Sequence, residues 1–444
     1  MRAPEMTSDN SIPFAAYIHP SNPQSGRYSG LSFALFPVPG RPCLIGMCVG
    51  TEGLTPDEGV LGRPGHARKM QAICAWLNRE FGRGARIAWA KQDPTLVDMS
   101  VPDNVKDDWP DFQAVFEKYG KALYAIYQPN ADSAATEHAL KAFLDVMFSE
   151  RGYTPLTSFK SDSDAIQAAW FEHLMPTVTR PEVISLLERR RYVIVQGPPG
   201  TGKTRMAGEI LKQDYQGFGQ SIQFHPNTTY ESFIGGLNPV ASGGELGFQF
   251  APKPGLLMEA AANAAAQRDR KFLLHIDEIN RADLGKILGE AIYLLEPEPE
   301  FERKISLPYD FGEPFHRSLF LPSNLHILGT MNSADRSIAI VDIAVRRRFG
   351  FVSLWPSMNV VERHGCQKTQ EAFRQMLSIF VEHASDDAFP LVPGHSYFLE
   401  RDDKRAAETL RVNLAPLLEE YLAQGYVSGF AESIRSYLQW LRAL

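Results

Sequence analysis

One short stretch constrains the fold of this chain more than any other: GPPGTGKT at residues 197–204, directly after the apolar run YVIVQ. Its glycines allow backbone turns that other residues resist, so that successive N–H groups can converge on phosphate oxygens. The ammonium of Lys203 suits the β- and γ-phosphates, and the hydroxyl of Thr204 suits Mg²⁺. An apolar strand before this loop predicts the strand–loop–helix unit of a nucleotide-binding α/β domain. The predicted phosphate-binding residues are Gly197, Pro198, Pro199, Gly200, Thr201, Gly202, Lys203 and Thr204.

A second apolar run, KFLLHI, ends in the acidic pair Asp277–Glu278. A carboxylate at the tip of such a strand can bind Mg²⁺, which we predict for Asp277 together with Thr204, and the next carboxylate can orient or deprotonate the attacking water. We therefore predict Glu278 as the catalytic base. The polar residues that follow fit either a surface that faces a neighbouring subunit or a pore, or the start of a surface helix; they are Asn280, Arg281 and Asp283.

A third apolar run, LHILGT, ends in Met331–Asn332, which places the Asn332 amide within reach of a γ-phosphate or the attacking water. The arginines at 346–348 follow a short predicted helix, where a cation can act on nucleotide held by another subunit. Taken alone, such a run is more typical of a solvated basic patch. In this order of motifs we predict Arg347 and Arg348 as catalytic, and the sequence does not separate them from Arg346.

The chain has 444 residues, enough for about two or three domains. Strands and helices alternate over 181–350, as a parallel sheet with crossover helices requires. We predict an α+β module over 1–155, which includes two strands around VPG at 38–40, a Ser/Asp-rich linker over 156–180, and helices over 351–444.

The predicted N-terminal module has a local excess of basic residues interleaved with aromatic ones. Residues 61–91 contain seven basic residues and only one acidic residue, Glu80. Three aromatic residues are interleaved with them: Trp76, Phe81 and Trp89. This composition would suit phosphate contacts and stacking on an extruded base. It equally suits an amphipathic helix with core aromatics and solvated cations. A protein-binding role also stays open. The basic residues are Arg63, Arg68, Lys69, Arg79, Arg83, Arg86 and Lys91.

The net charge of −7 argues against a generally basic nucleic-acid-binding protein. No run of 18 apolar residues occurs, and the N-terminus lacks a signal-peptide pattern. The cysteines show neither zinc spacing nor a disulfide framework. We therefore expect a cytoplasmic protein without a membrane partner, whose cysteines are reduced.

From about residue 180 to 430 the motifs, in order, carry a resemblance. GPPGTGKT, FHPNTTYESFIGGLNP, DEINRADLGKILGEAIYLLE, GTMNSADRS with VRRRFGF, and GHSYF resemble the AAA+ NTPases, and among them the McrB motor subunits of modification-dependent restriction systems. The MNxxDxS signature of that family is matched by Met331, Asn332, Asp335 and Ser337. MoxR-like ATPases share the first and third motifs but do not usually show the MNSADRS or GHSYF forms.

The resemblance implies an AAA+ core with a C-terminal helical lid over 351–444 and a hairpin insertion in GLNPVASGGELGFQFAPKPG. It implies a ring, usually a hexamer, with nucleotide at the subunit interfaces, ATP or GTP as substrate, and Mg²⁺ as cofactor. It further implies a McrC-like nuclease subunit as partner, and DNA, often modified, as the target of the N-terminal module. Two alternatives stay open: a MoxR-like ATPase that remodels a protein client, and a nucleotide-gated assembly scaffold.

Overall fold

The computed structural model describes residues 12–24, 26–241, 248–296, 303–334 and 343–444. The chain divides into two compact units. The first comprises Met1–Pro176, Leu377–Phe389 and Gly425–Arg435, and the second comprises Thr177–Met376, Pro390–Gln424 and Ser436–Leu444.

The first unit is built on an antiparallel sheet of five strands in the order β1-β2-β3-β5-β4. Its strands are β1 (Ala15–Tyr17), β2 (Leu31–Val38), β3 (Arg41–Val49), β4 (Ala88–Ala90) and β5 (Leu123–Tyr127). Its N-terminal helices are α1 (Glu58–Leu61), α2 (Pro64–Phe81), α3 (Asp103–Lys106), α4 (Gln113–Tyr119), α5 (Ser133–Ser149) and α6 (Lys160–Leu174).

Both faces of this sheet are covered, because side chains on a strand alternate between the faces. On β3, Ile45, Met47 and Val49 pack into a core shared with α2, α5 and α6, while Leu44 and Cys48 pack with Val105 of α3 and Phe116 of α4 on the other side. The predicted strand pair around VPG is confirmed: β2 and β3 pair antiparallel across a turn in which Gly40 has φ +71°.

The Ser/Asp-rich stretch at 156–180, expected as a linker, contains α6. Ile166 and Trp170 of α6 are buried in the core of the first unit, against α2 and α5. The polar residues that suggest a linker lie mostly on the exposed side of this helix. The polarity therefore reflects the solvated face of an amphipathic helix rather than an extended connection.

The second unit contains a parallel sheet of five strands in the order β14-β6-β13-β10-β7, with helices around it, as predicted for an α/β core. Its strands are β6 (Tyr192–Gly197), β7 (Gly219–Gln223), β8 (Gly235–Ala241), β9 (Phe248–Pro254), β10 (Phe272–Asp277), β11 (Lys304–Ser306), β12 (Ser318–Phe320), β13 (Leu325–Asn332) and β14 (Gly350–Ser353). The helices of this stretch are α7 (Arg180–Arg190), α8 (Lys203–Glu209), α9 (Tyr230–Phe233), α10 (Leu256–Ala266), α11 (Leu284–Leu288) and α12 (Ile343–Arg346).

The strands β8 and β9 pair antiparallel, from Gly235 opposite Pro254 to Ala241 opposite Phe248, and so form the expected hairpin. Residues 242–247 between them lie outside the described residues. A second antiparallel pair joins β11 and β12.

The C-terminal part is helical, as predicted. It comprises α13 (Met358–His364), α14 (Gln367–His383), α15 (Asp403–Asn413), α16 (Ala415–Ala423) and α17 (Ala431–Ala443). The boundary between the units falls within α14 and again within α17. Among the residues that the structure describes, no helix combines the length and apolarity needed to span a bilayer.

Two of the basic residues of α2 are buried within the first unit. The Arg68 side chain is 8% exposed, and it donates hydrogen bonds to the carbonyls of Val381 at 2.8 Å and Ala384 at 2.5 Å, at the C-terminal end of α14. Its guanidinium also lies 4.2 Å from the ring centre of Phe389. The last carbonyls of a helix have no intrahelical donors, and Arg68 supplies donors to those at the C-terminus of α14.

We expect Arg68→Ala to destabilise the protein, because it leaves the carbonyls of Val381 and Ala384 without these donors. Buried acceptors that lose a donor cost about 1–3 kcal/mol. The measurement is the midpoint of thermal unfolding followed by circular dichroism. Arg79→Ala is the matched control: Arg79 is exposed on the same helix and pairs with Glu80 at 3.2 Å, so it should change stability by less than about 0.5 kcal/mol. Equal midpoints for the two variants would contradict this role of Arg68.

Candidate nucleotide-binding site

The phosphate loop leaves the end of β6 and enters α8. Gly200 and Gly202 have φ angles of +80° and +84°, a region that side chains disfavour, and Gly202 is the residue directly before the helix. The glycines of the motif are therefore required by the backbone path at these two positions. This path leads from the end of β6 into a helix N-terminus, as the sequence predicts.

Lys203 is held inside the loop. Its side chain is 7% exposed, and its ammonium donates to the carbonyls of Gly197 at 2.9 Å and Pro198 at 2.7 Å. Burial lowers the pKa of Lys203 to about 8, although the carboxylates of Glu278 and Asp277 act in the opposite direction. A cation so poorly solvated gains strongly from a phosphate group.

Asp277 lies at the end of β10 and meets two hydroxyl groups. Thr204 Oγ1 donates to Asp277 Oδ1 at 3.0 Å, and Thr330 Oγ1 on β13 donates to the same oxygen. Hydroxyl and carboxylate oxygens are hard donors of the kind that Mg²⁺ prefers, so the predicted pair Thr204 and Asp277 fits this ion. Thr330 was not predicted, although it lies two residues before Asn332 and thus on the same face of β13.

Glu278 follows Asp277 with φ +51°, an uncommon conformation for a residue with a side chain. Its Oε1 accepts a hydrogen bond from the Asn332 amide at 2.5 Å, and the Nε of Arg281 lies 3.5 Å from its Oε2. Burial is the main cause that raises the pKa of Glu278, with help from Asp277, while Arg281 and Lys203 oppose it. A carboxylate with a raised pKa is a better proton acceptor. The structure thus brings the two predicted residues Glu278 and Asn332 into direct contact.

The polar residues after Glu278 differ in their surroundings. Asn280 is only 4% exposed, and its amide Nδ2 lies 3.4 Å from the carbonyl of Asn332, so its side chain lies inside the unit and not on an outer face. Asp283 accepts a hydrogen bond from the Lys286 N–H at 3.2 Å and caps α11. The interpretation as the start of a surface helix therefore fits Asp283. Asn280 fits neither this interpretation nor a surface that faces a neighbouring subunit or a pore.

The arginines at the end of α12 are not equivalent. Arg348 is 6% exposed and donates to the carbonyl of Ala344 in the same chain at 2.8 Å. Arg346 and Arg347 are exposed, and the Arg346 guanidinium lies 5.3 Å from the ring centre of Phe351. Of the two predicted catalytic arginines, Arg347 is thus at the surface and Arg348 is in the interior. The signature positions Asp335 and Ser337 lie outside the described residues.

The loop and the strand ends enclose a cavity of about 310 Å³. Among its lining residues are Lys203, Thr204, Asp277, Glu278 and Asn332, and also Ser396 of the GHSYF motif. One cavity therefore collects a phosphate-binding cation, a pair of oxygen donors for Mg²⁺, and a carboxylate beside an amide.

Comparisons with known proteins support the class of domain that this fold indicates. Residues 192–349 match the model of the AAA domain, dynein-related subfamily. The chain is 28% identical over 351 residues to the type IV methyl-directed restriction enzyme EcoKMcrB subunit of Escherichia coli K12, covering 72% of this chain and 75% of that protein. It is 30% identical over 211 residues to the type II restriction enzyme BsuMI component YdiS of Bacillus subtilis 168, covering 39% of this chain and 60% of that protein.

The parallel sheet, the phosphate loop and the matched domain define an AAA+ nucleoside triphosphatase. Within that class the chain is McrB-like: its sequence is similar to these two restriction-enzyme proteins, as the resemblance in its motifs indicates.

We expect Lys203→Ala and Glu278→Gln to fail in different ways. The first removes the cation at the phosphates and should weaken nucleotide binding strongly. The second keeps a side chain of the same shape that accepts no proton, so that binding persists while hydrolysis falls by at least about 100-fold. Fluorescence titration with a labelled nucleotide and a phosphate-release assay measure the two properties. Equal loss of binding in both variants would contradict this division.

The pKa of Lys203 predicts how binding depends on pH. Below about pH 8 the ammonium is charged with or without nucleotide, so affinity should be constant. Above about pH 8, Lys203 loses its proton in the free protein, whereas in the complex the bound phosphates keep Lys203 protonated. The affinity should therefore fall by up to about tenfold per pH unit. Calorimetry at pH 8.5–9 in two buffers of different ionisation enthalpy should detect proton uptake on binding. Affinity that stays constant to pH 9.5, without proton uptake, would show that Lys203 keeps an ordinary pKa.

Proposed function

We propose that this protein is the nucleotide-driven ring motor of a restriction complex. The observation that carries the proposal is the group at the ends of β6, β13 and β10, where Lys203, the Thr204–Asp277 pair and the Glu278–Asn332 pair line one cavity. The similarity of the chain to a methyl-directed restriction subunit and to a component of a second restriction enzyme supports its assignment to a restriction complex.

The residues divide the reaction between them. The backbone of residues 197–204 and the Lys203 ammonium bind the phosphates of ATP or GTP. Mg²⁺, held by Thr204 and Asp277, would offset the charge on the phosphate oxygens. Glu278 takes a proton from the attacking water, and its raised pKa favours that transfer. Asn332, bonded to Glu278, orients the water or the γ-phosphate.

Arg347 acts on nucleotide bound by another subunit. An arginine finger must be at the surface of its own chain, and Arg347 meets this condition while Arg348 is buried and bonded to Ala344. The carbonyl of Arg347 accepts a hydrogen bond from the Arg190 guanidinium at 3.3 Å, which helps to hold the end of α12. We assign Arg348 to this local structure and the finger to Arg347. A ring, with six subunits in the family, places such a residue at every nucleotide.

The remaining parts of the proposal concern partners. The α+β module at the N-terminus recognises the target, which we take to be DNA that carries a modified base, and a McrC-like nuclease cuts it. Three of the predicted basic residues, Arg68, Lys69 and Lys91, are buried in this module, so a DNA contact there would use Arg63, Arg79, Arg83 and Arg86.

Mixing two inactive variants tests the ring and the finger together. Lys203→Ala keeps its arginines, and Arg347→Ala keeps its phosphate loop. In a ring assembled from equal amounts, roughly a quarter of the interfaces join an intact loop to an intact arginine from the neighbour. Those interfaces should hydrolyse nucleotide, since a finger is worth about 10³–10⁵ in rate. Phosphate release by the mixture should therefore exceed that of either variant alone.

The control is a mixture of Lys203→Ala with the double variant Lys203→Ala, Arg347→Ala, which contains no intact loop and should stay inactive. Co-assembly is verified by pull-down of differently tagged chains. A co-assembled first mixture without activity would show that Arg347 does not act across an interface.

A further inference from the structure

The first unit carries an open groove between α5 and α6, beside the stretch of chain that connects the two helices. This α5–α6 groove encloses about 400 Å³, more than the cavity at the phosphate loop. Its walls are mostly apolar. Among the side chains that line it are Phe148, Tyr153, Leu156, Phe159 and Ile166.

The rim of the α5–α6 groove presents large apolar side chains to solvent. Tyr153, Leu156 and Phe159 are each more than half exposed. The ring of Phe148 meets the rings of Tyr153 and Tyr17 edge-on, with centroids 6.2 Å and 6.4 Å apart. A contiguous exposed apolar surface marks an interaction site, and aromatic side chains are enriched where proteins contact each other. The groove therefore has the composition of a protein-binding surface.

The charged groups of the groove restrict what can bind there. They comprise two carboxylates, Asp145 and Asp162, and one ammonium, Lys141. Lys141 lies 2.8 Å from Asp162 and pairs with it. The remaining negative charge disfavours the phosphates of a nucleic acid and favours a partner that carries positive charge.

Asp145 is the carboxylate that a cationic partner would meet. Ser163 Oγ donates to its Oδ1 at 2.7 Å, and Gln167 Nε2 donates to its Oδ2 at 2.6 Å. These donors are neutral, so they orient the carboxylate without offsetting its charge. Within the described ranges, no lysine or arginine pairs with Asp145. An ionised carboxylate can accept about four hydrogen bonds, so Asp145 can accept more.

We propose that the α5–α6 groove is a docking site for a short segment of a partner protein, which inserts an aromatic or aliphatic side chain between Leu156 and Phe159 and places a lysine or arginine against Asp145. The apolar rim supplies the contact area, and the charge-assisted hydrogen bond to Asp145 supplies selectivity. This role goes beyond the proposed function and does not depend on nucleotide hydrolysis or on DNA recognition.

The test selects short random peptides, displayed on phage, for binding to the full-length protein, with counterselection on the double variant Leu156→Ser, Phe159→Ser. Both side chains are exposed, so their replacement changes the rim and not the core. The selected peptides should combine an aromatic or aliphatic residue with a lysine or arginine. In fluorescence anisotropy, synthetic copies should bind the double variant at least about tenfold more weakly than the wild type.

The matched control is the double variant Leu96→Ser, Met99→Ser, which replaces two exposed apolar side chains of the same unit outside the groove. It should bind the peptides like the wild type. Thermal unfolding midpoints verify that both double variants are folded. Failure to select any peptide that distinguishes the wild type from the groove variant would overturn the proposal. Displacement of the peptide by double-stranded DNA would also overturn it, because the groove would then bind nucleic acid.

The contact with Asp145 is tested from both sides. Asp145→Asn keeps an oxygen for Ser163 and removes the charge, so it should weaken peptide binding by about tenfold. Replacing the basic residue of the peptide by norleucine should weaken binding to the wild type similarly, and should have little further effect on Asp145→Asn. Selected peptides without a basic residue, or equal binding to Asp145→Asn and the wild type, would overturn the proposal.

Analytical ultracentrifugation distinguishes a partner protein from a second copy of this chain. Without peptide, the groove variant and its control should have the oligomeric state of the wild type. If the groove variant alone loses assembly, a second copy occupies the groove and the proposal is overturned.

Discussion

The register of three parallel strands controls this site. Asn332 of β13 is paired with Gly197 at the end of β6, and Ile276 of β10 is paired with Gly329 of β13, so that Asp277 follows at the same edge of the sheet. Parallel strands end at one edge with their carboxyl ends together, which is where α/β proteins bind ligands. A shift of one residue on β13 would turn Thr330 and Asn332 away from Asp277 and Glu278.

Local chemistry explains why much of this site could be predicted. The phosphate loop and the pair Asp277 and Glu278 each follow an apolar run in the sequence. A few consecutive residues therefore predict both the buried strand and the polar group at its end. The parallel core, the helical C-terminal part and the hairpin of β8 and β9 follow equally from local patterns and the family resemblance. All three agree with the structure.

The features that could not be predicted depend on how distant parts of the chain pack. Arg347 and Arg348 are identical in type and adjacent in sequence, and only packing distinguishes the exposed one from the buried one. Ser396 adjoins Gly200 because a turn of the C-terminal segment docks on the loop, which no local pattern encodes. The same limit applies to α6, because its polar composition gives no sign of its two buried apolar residues, Ile166 and Trp170.

Buried charge organises the first unit in a way that composition alone cannot show. Lys69 lies 2.5 Å from Glu150 and 2.6 Å from Glu382, and His66 bonds both Glu150 and Tyr124. Burial would raise the pKa of Glu150, but His66 and Lys69 outweigh it and hold it at about 2. The basic residues that suggest a DNA-binding face thus include some that join α2 to the last turn of α14.

The contact between Gly394 and Gly200 also bears on how this sequence can change over evolutionary time. A Cβ at Gly394 would meet backbone atoms of Gly200 and Pro199, so no rotation of a neighbouring side chain would relieve the clash. The phosphate loop therefore extends its constraint to a position far along the chain that carries no chemistry of its own. Substitution of Gly394 is therefore constrained by the geometry of nucleotide binding. In a homologue without a functional phosphate loop, this constraint on both glycines would be absent.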